Sequence, residues 1–178
     1  MIQFQFDKYK IAVEIGKEPI DYNYWIKYAS FIDIEEQTKD KTPIYIGIGE
    51  HQDWYKTIVS FSSDPIDYGG FNPGLILVPE TDILFIGAGT NVRIYDLKHQ
   101  LKLFVKELHC GFLGWKRYDD FIIMQEELEF GIYSLTGQEI WSTEVEPPWT
   151  FSIEIDTVKL NVMNEISFRD LKTGELLK

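Results

Sequence analysis

Three histidines, one cysteine and 29 acidic residues are the groups in this 178-residue chain that could do chemistry. The densest polar cluster is Gly49-Glu50-His51-Gln52-Asp53-Trp54, where an imidazole and two carboxylates fall within four residues. On a loop, such a set can hold a metal or exchange protons. Only His99 and His109 are left to complete a histidine ligand set, so the segment reads first as a polar turn between strands at 44–48 and 54–61. Neither Cys-x-x-Cys nor His-Glu-x-x-His spacing occurs, and no metal site and no cofactor are expected. His109 beside Cys110 invites a nucleophile-and-base reading. Adjacent residues on a strand point to opposite faces, however, so the pair reads as a buried thiol beside a partly exposed imidazole.

The carboxylates form two runs, Glu126, Glu127 and Glu129, then Glu144 and Glu146 just before Pro147-Pro148-Trp149. Residues i and i+2 of a strand share a face at about 7 Å, a separation that suits paired acids in glycoside hydrolysis or a calcium site, and that any solvated strand also shows. Gly87-Ala88-Gly89-Thr90 opens like a dinucleotide fingerprint, but Val92 stands where the third glycine belongs and a strand follows where a helix is needed. It reads as a turn. No Walker A loop and no Gly-x-Ser-x-Gly elbow is present. Of the five tryptophans, Trp115 and Trp141 read as core; Trp54 and Trp149 border polar loops and also read first as core, with an exposed ring that anchors a partner or a sugar as the alternative.

These groups have to be positioned by strands. Apolar residues recur at every second position: Ile2, Phe4, Phe6; Ile11, Val13, Ile15 after a tight Asp7-Lys8 connection; Tyr22, Tyr24, Ile26, Tyr28; Ile44, Ile46, Ile48; Leu101, Leu103, Val105; and Phe151, Ile153, Ile155. That period predicts an all-β chain of antiparallel strands with few helices. Ile83-Leu84-Phe85-Ile86 is apolar on both faces and predicts a central strand. The charged stretch 35–41 reads as a loop, as does 62–74, whose glycines and prolines mark an internal boundary between residues 1–63 and 75–178 of one domain. Its Tyr68 and Phe71 join Trp54 and Trp149 as aromatic residues on strand-end loops.

Beyond that loop a unit repeats. Ile94-Tyr95-Asp96-Leu97 precedes Lys98-His99-Gln100-Leu101, Ile132-Tyr133-Ser134-Leu135 precedes Thr136-Gly137-Gln138-Glu139-Ile140-Trp141, and Phe168-Arg169-Asp170-Leu171 precedes Lys172-Thr173-Gly174-Glu175-Leu176-Leu177. The leucines are spaced 38 and 36 residues apart. Each copy is a strand, a turn and a second strand, and in the two later copies, with their Thr-Gly turns, glycine supplies the positive φ of the hairpin. Over residues 83–178 these copies resemble the outer blade hairpin of quinoprotein-like and related WD-type β-propellers. The resemblance implies stacked antiparallel sheets, and with only two to three units it implies an incomplete propeller or a layered sheet, its exposed edge covered by the amino-terminal strands. No quinone or calcium ligand of the propeller dehydrogenases falls on a residue here.

Seventeen basic against 29 acidic residues leave a net charge of -12, which repels phosphate backbones and anionic membranes. No span approaches the roughly 18 apolar residues of a membrane helix, and one cysteine fits a reducing cytoplasm. These features together point to a non-catalytic protein that binds another protein, a basic one by charge. Glu50, His51, Asp53, Trp54, Tyr68, Phe71, Glu144, Glu146 and Trp149 are its contact candidates, and an immunity-type antagonist of a basic toxin is its concrete form. The alternatives are a small hydrolase or carbohydrate-binding enzyme using the paired carboxylates near Trp149, and a structural subunit that pairs through a sheet edge.

Overall fold

A computed structural model describes residues 1–51, 53–64 and 72–177. The chain is all-β with one short helix, and its sixteen strands form four sheets. The first sheet holds β1 (Ile2–Phe6), β2 (Tyr9–Ile15), β3 (Phe31–Ile34), β4 (Thr42–Glu50) and β5 (Thr57–Ser63) in the order β1-β2-β4-β5-β3. Its pairs are antiparallel except β3 with β5. Next come two four-stranded meanders. One is β6 (Gly74–Val78), β7 (Ile83–Ala88), β8 (Asn91–Asp96) and β9 (Leu101–Glu107); the other is β10 (Phe112–Tyr118), β11 (Phe121–Glu126), β12 (Glu129–Ser134) and β13 (Glu139–Glu144). The fourth sheet is β14 (Trp149–Glu154), β15 (Thr157–Val162) and β16 (Glu165–Asp170), with Leu176 bridging back to Arg169 as the start of a further strand. The sheets resemble propeller blades and do not close into a ring.

Alternating side chains let the second and third sheets bury both faces, and three core clusters join the four sheets in chain order. Ile11, Ile46 and Phe61 meet Leu84, Ile86 and Tyr95 between the first two sheets. Phe85 and Ile94 meet Phe112, Met124 and Tyr133 between the second and third, and Phe130 and Ile132 meet Val158 and Leu160 between the third and fourth. The strand β7 is buried along its whole length, Leu84 and Ile86 facing one neighbour and Ile83 and Phe85 the other, as its two-sided apolar run requires.

The repeat has a physical cause. In each copy the polar residue before leucine caps the turn: Asp96 accepts the His99 N–H, Ser134 accepts the Gln138 N–H, and Asp170 accepts the Lys172 and Thr173 N–H groups. Positive φ falls on Gly137 and Gly174, and on Gln100 in the first copy. The two glycines also sit at seams, since a Cβ at Gly137 would lie 2.8 Å from Ile94 in the preceding sheet and one at Gly174 would lie 2.7 Å from Trp141.

The structure corrects five expectations. Residues 22–28 are a helix, α1 (Tyr22–Tyr28), because the residues that pack are Tyr22, Trp25, Ile26 and Ala29, a helical spacing that a two-residue count of Tyr22, Tyr24, Ile26 and Tyr28 conceals. The amino-terminal strands do not cover an edge; they are a sheet packed face to face on the second, and α1 covers their far side. Leu101, Leu103 and Val105 point outward, since β9 is an outer edge strand whose inward residue is Phe104. Cys110 is half-buried on the linker between β9 and β10, not buried on a strand. Ser62 and Ser63 belong to β5 and Gly74 to β6, and one core cluster spans both sides of that loop. No helix among the described residues is long and apolar enough to cross a membrane.

Candidate functional site

Antiparallel alternation gives the sheets two ends. At one end β6, β10 and β14 begin; here the turns at 88–91, 126–129 and 162–165 gather with the linkers at 107–112 and 144–149. Seven glutamates lie in those segments, at 107, 126, 127, 129, 144, 146 and 165, and none of them contains Lys or Arg. Glu144, Val145, Glu146 and Glu165, with His109, Leu128, Val162 and Met163, line an open concavity of about 1060 Å³. Its rim carries carboxylates and an imidazole, and its remaining lining is apolar. Beside it, Leu113, Glu127, Pro147, Pro148, Trp149 and Phe151 line a second hollow of about 440 Å³. The Glu144–Trp149 linker separates the two.

Trp149 is half-buried, not an exposed anchor. Its indole N–H donates to the Glu127 carbonyl at 2.9 Å, and its ring packs on Phe130 and Phe151. It holds the linker in place, so Glu144 and Glu146 are presented from a fixed base. Glu126 turns inward, fully enclosed, and accepts the Cys110 N–H at 2.6 Å. Burial raises its carboxyl above the usual range and Glu129 adds to the effect, against the Cys110 hydrogen bond and the charges of His109 and Lys106. Glu129 is buried against Lys106, which also reaches Glu139. Burial opposes the Lys106 charge, but the two glutamates outweigh it and hold the ammonium above its ordinary value. Of the two candidate acid pairs, Glu126 and Glu129 are buried, Glu126 beside the 107–112 linker, whereas Glu144 and Glu146 are exposed and both line the concavity.

At the opposite end lies the 50–56 loop. Glu50, His51, Asp53 and Trp54 are all exposed there. The Trp54 ring is 47% exposed and stacks near-parallel on Tyr28 at 5.2 Å and Tyr24 at 5.9 Å, rings that α1 presents one turn apart. Reading α1 as a strand hid this trio; the i, i+4 spacing of Tyr24 and Tyr28 was the signal that could have found it. On its other side the loop lines a cleft of about 340 Å³ that includes Glu50, Asp53, Lys56, Asp82 and Lys98. Lys8 pairs with Asp82 at 2.7 Å, and the Tyr9 hydroxyl donates to the same carboxylate at 2.7 Å. Burial alone would raise the Asp82 carboxyl, but these two hydrogen bonds outweigh it and hold it low. Charges here are balanced in sign, whereas the turns and linkers gathered at the first end carry seven glutamates and no Lys or Arg.

The sequence candidates therefore divide between opposite ends: Glu144, Glu146 and Trp149 at one, Glu50, His51, Asp53 and Trp54 at the other. Tyr68 and Phe71 lie outside the described residues. Missed from sequence were Met163 and Glu165, which the packing of the third sheet against the fourth brings beside Glu144, and the position of His109, on the linker between the second and third sheets, at the same concavity. Among the described residues no three metal-ligating side chains converge.

No protein-family model matches the chain, and no curated protein matches it. Solved structures of β-propeller proteins do. The computationally designed Ika4 protein aligns at 17% identity and a TM-score of 0.43 over 59% of this chain and 69% of its own. BamB from Moraxella catarrhalis aligns at 11% identity and a TM-score of 0.43 over 79% of this chain, and Sqt1 of Saccharomyces cerevisiae at 11% and 0.44 over 79%. The chain spans under half the length of each of those two, 45% and 44%.

Proposed function

We propose that the chain is a non-catalytic binding protein whose acidic end receives a basic protein partner. One observation carries this reading: Glu144, Glu146 and Glu165 ring a wide concavity whose remaining lining, His109 apart, is Leu128, Val145, Val162 and Met163, with no lysine or arginine among the residues that line it. Such a surface suits lysine or arginine side chains, whose aliphatic stems lie on apolar ground while their charged heads meet carboxylates. Its breadth and openness favour a protein over a small substrate, which needs an enclosing pocket. The net charge of -12 adds a long-range field that speeds encounter with a cation. An antagonist of a basic toxin, of the immunity type, is the concrete form this reading takes, acting in the cytoplasm.

A short polylysine peptide is the simplest probe, with polyglutamate as control. Titration followed by tryptophan fluorescence is expected to show salt-sensitive binding of polylysine alone. The triple reversal Glu144→Lys, Glu146→Lys, Glu165→Lys is expected to weaken it at least about tenfold, or roughly 1.4 kcal/mol. Since all three side chains are exposed, the variant should fold. Equal binding by the variant and the native chain would overturn the reading.

A further inference from the structure

The strand β1 has a free edge of unusual character. Among the described residues it pairs only with β2, in unbroken register from Ile2 with Val13 to Phe6 with Tyr9, so no bulge bends it away. All five of its residues are exposed, and none is charged or proline. Edge strands are ordinarily blunted by one of those devices, and an unblunted edge is a template for another strand. Ile2, Phe4 and Phe6 share the face that in β2 and β4 forms the first core cluster, yet none of the three belongs to that cluster. Ile2 and Phe4 instead line a cavity of about 210 Å³, walled by Val13, Ile46, Leu75 and Ile86 among other apolar residues.

The hydrogen-bond parity of this edge follows from its turn. A two-residue connection, Asp7-Lys8, makes Phe6 and Tyr9 a hydrogen-bonded pair, so alternation assigns Phe4 and Ile2 to β2 as well. The N–H and C=O groups of Gln3 and Gln5 are the ones that point to the open side. An antiparallel copy of β1 centred on Phe4 sets Gln3 opposite Gln5, so the outward groups of each strand meet those of the other. The same register sets Phe4 opposite Phe4 and Ile2 opposite Phe6 on the cavity face, and amide opposite amide on the other. It also sets the acidic Asp7 of each copy opposite Met1 of the other, whose α-ammonium is held by Glu14 at 2.9 Å. Any residue-centred antiparallel register satisfies the parity, but the one about Phe4 alone overlaps all five residues of β1, leaving no apolar side chain opposite a polar one and setting Asp7 beside the Met1 ammonium.

We propose that β1 is a homodimerisation strand: two copies of the chain pair antiparallel about Phe4, joining their first sheets into one continuous sheet, with aromatic side chains of each copy closing the mouth of the other's apolar cavity. The ladder is short and both copies carry -12, so the dimer is weak and forms more readily as salt screens the repulsion. This surface is separate from the acidic concavity, and its test does not depend on that reading.

Sedimentation velocity over a rising concentration series is expected to show mass moving from 20.9 kDa toward twice that value, further at high salt. Gln3→Pro removes an N–H that faces only the open edge, at a position where a strand tolerates proline, so it should keep the fold and abolish the dimer. Phe4→Lys sets two like charges face to face at the symmetry axis and should do the same, with circular dichroism confirming that each variant is folded. In a Cys110→Ala background, Phe4→Cys should form an intermolecular disulfide on mild oxidation, since a non-hydrogen-bonded antiparallel pair brings Cα atoms to about 4.5 Å. Ile76→Cys on β6 should not. A monomer at every concentration overturns the proposal. So does a dimer that both Gln3→Pro and Phe4→Lys leave intact, or a cavity that takes up benzene with no change in mass.

Discussion

Glu126 is fully enclosed, and while one oxygen accepts the Cys110 N–H, the other has no hydrogen-bond partner in the protein. A buried anion with half its acceptors unused destabilises the fold whenever it is charged. Burial lifts its pKa in the folded chain above the unfolded value near 4.3, so its stabilising contribution is complete below that value and disappears as pH rises through the folded pKa. Glu126→Gln keeps an acceptor for Cys110 and removes the charge. It should stabilise the chain by about 1 kcal/mol at pH values above the folded pKa, with the advantage shrinking as pH falls through that pKa. Urea unfolding of both proteins across that range tests the claim, and parallel stability curves would sink it. None of this was legible in the sequence: the run Glu126, Glu127, Glu129 looks like a solvated strand, and only the turn between β11 and β12 sends two of the three inward. Glu144 and Glu146, by contrast, are as exposed as their alternation with Val145 implies. Trp54 is exposed, against its first reading as core, and Tyr24 and Tyr28 beside it were hidden by a wrong period.

The element that defines this fold is the turn of the repeated hairpin, and its glycine has two separate reasons to be there. Positive φ costs an L-residue about 1–2 kcal/mol, and a Cβ pressed against a packed neighbour adds about 1–3 more. Gly137→Ala and Gly174→Ala should therefore each lower stability by more than a turn glycine alone explains. Gln100, at positive φ in the first copy, shows that the backbone conformation by itself does not demand glycine. Gln100→Gly offers the comparison: it relieves the strain and should stabilise slightly, as thermal melting of the three variants would reveal. If Gly137→Ala and Gly174→Ala cost no more than Gln100→Gly gains, the seam contact is not what keeps glycine there. These hairpins were legible because strand period, capping residue and turn glycine are all local. The sheet made by residues 1–63 was harder, since β3 reaches its place by parallel pairing with β5 and is fixed by distant partners. Asp33 accepts from the Tyr95 hydroxyl at 2.7 Å, and Glu35 takes Arg93 through two hydrogen bonds of 2.6 and 2.7 Å. No spacing within the first 63 residues announces those ties.

At the scale of the whole molecule, four sheets in series share three interfaces, and no core cluster joins the fourth sheet to the first or second. The two terminal faces differ. On the first sheet α1 covers the far side with Tyr22 and Trp25, while the far side of the fourth, by its register, carries Thr150, Ser152, Lys159, Asn161, Ile166 and Phe168 with no element over it among the described residues. Stability in such a stack is close to a sum of sheets and nearest-neighbour interfaces, so the sheet with one interface and no cap should open first. Native-state hydrogen exchange is expected to rank the amides of β7, β8, β11 and β12 as slowest and those of β14–β16 as fastest. Leu160→Ala empties a buried position in the third interface at a cost of about 2–5 kcal/mol. If the stack behaves as a series, that loss accelerates exchange in β14–β16, and in β12 and β13 to a lesser degree, while β7 and β8 keep their protection. Equal loss in all four sheets would mean that they unfold as one cooperative unit, and the linear picture would have to be abandoned. The proposed binding role then meets a physical constraint: the concavity that holds Glu144, Glu146 and Glu165 is built across the seam expected to open first, where a bound partner touching both sheets would stabilise most by mass action.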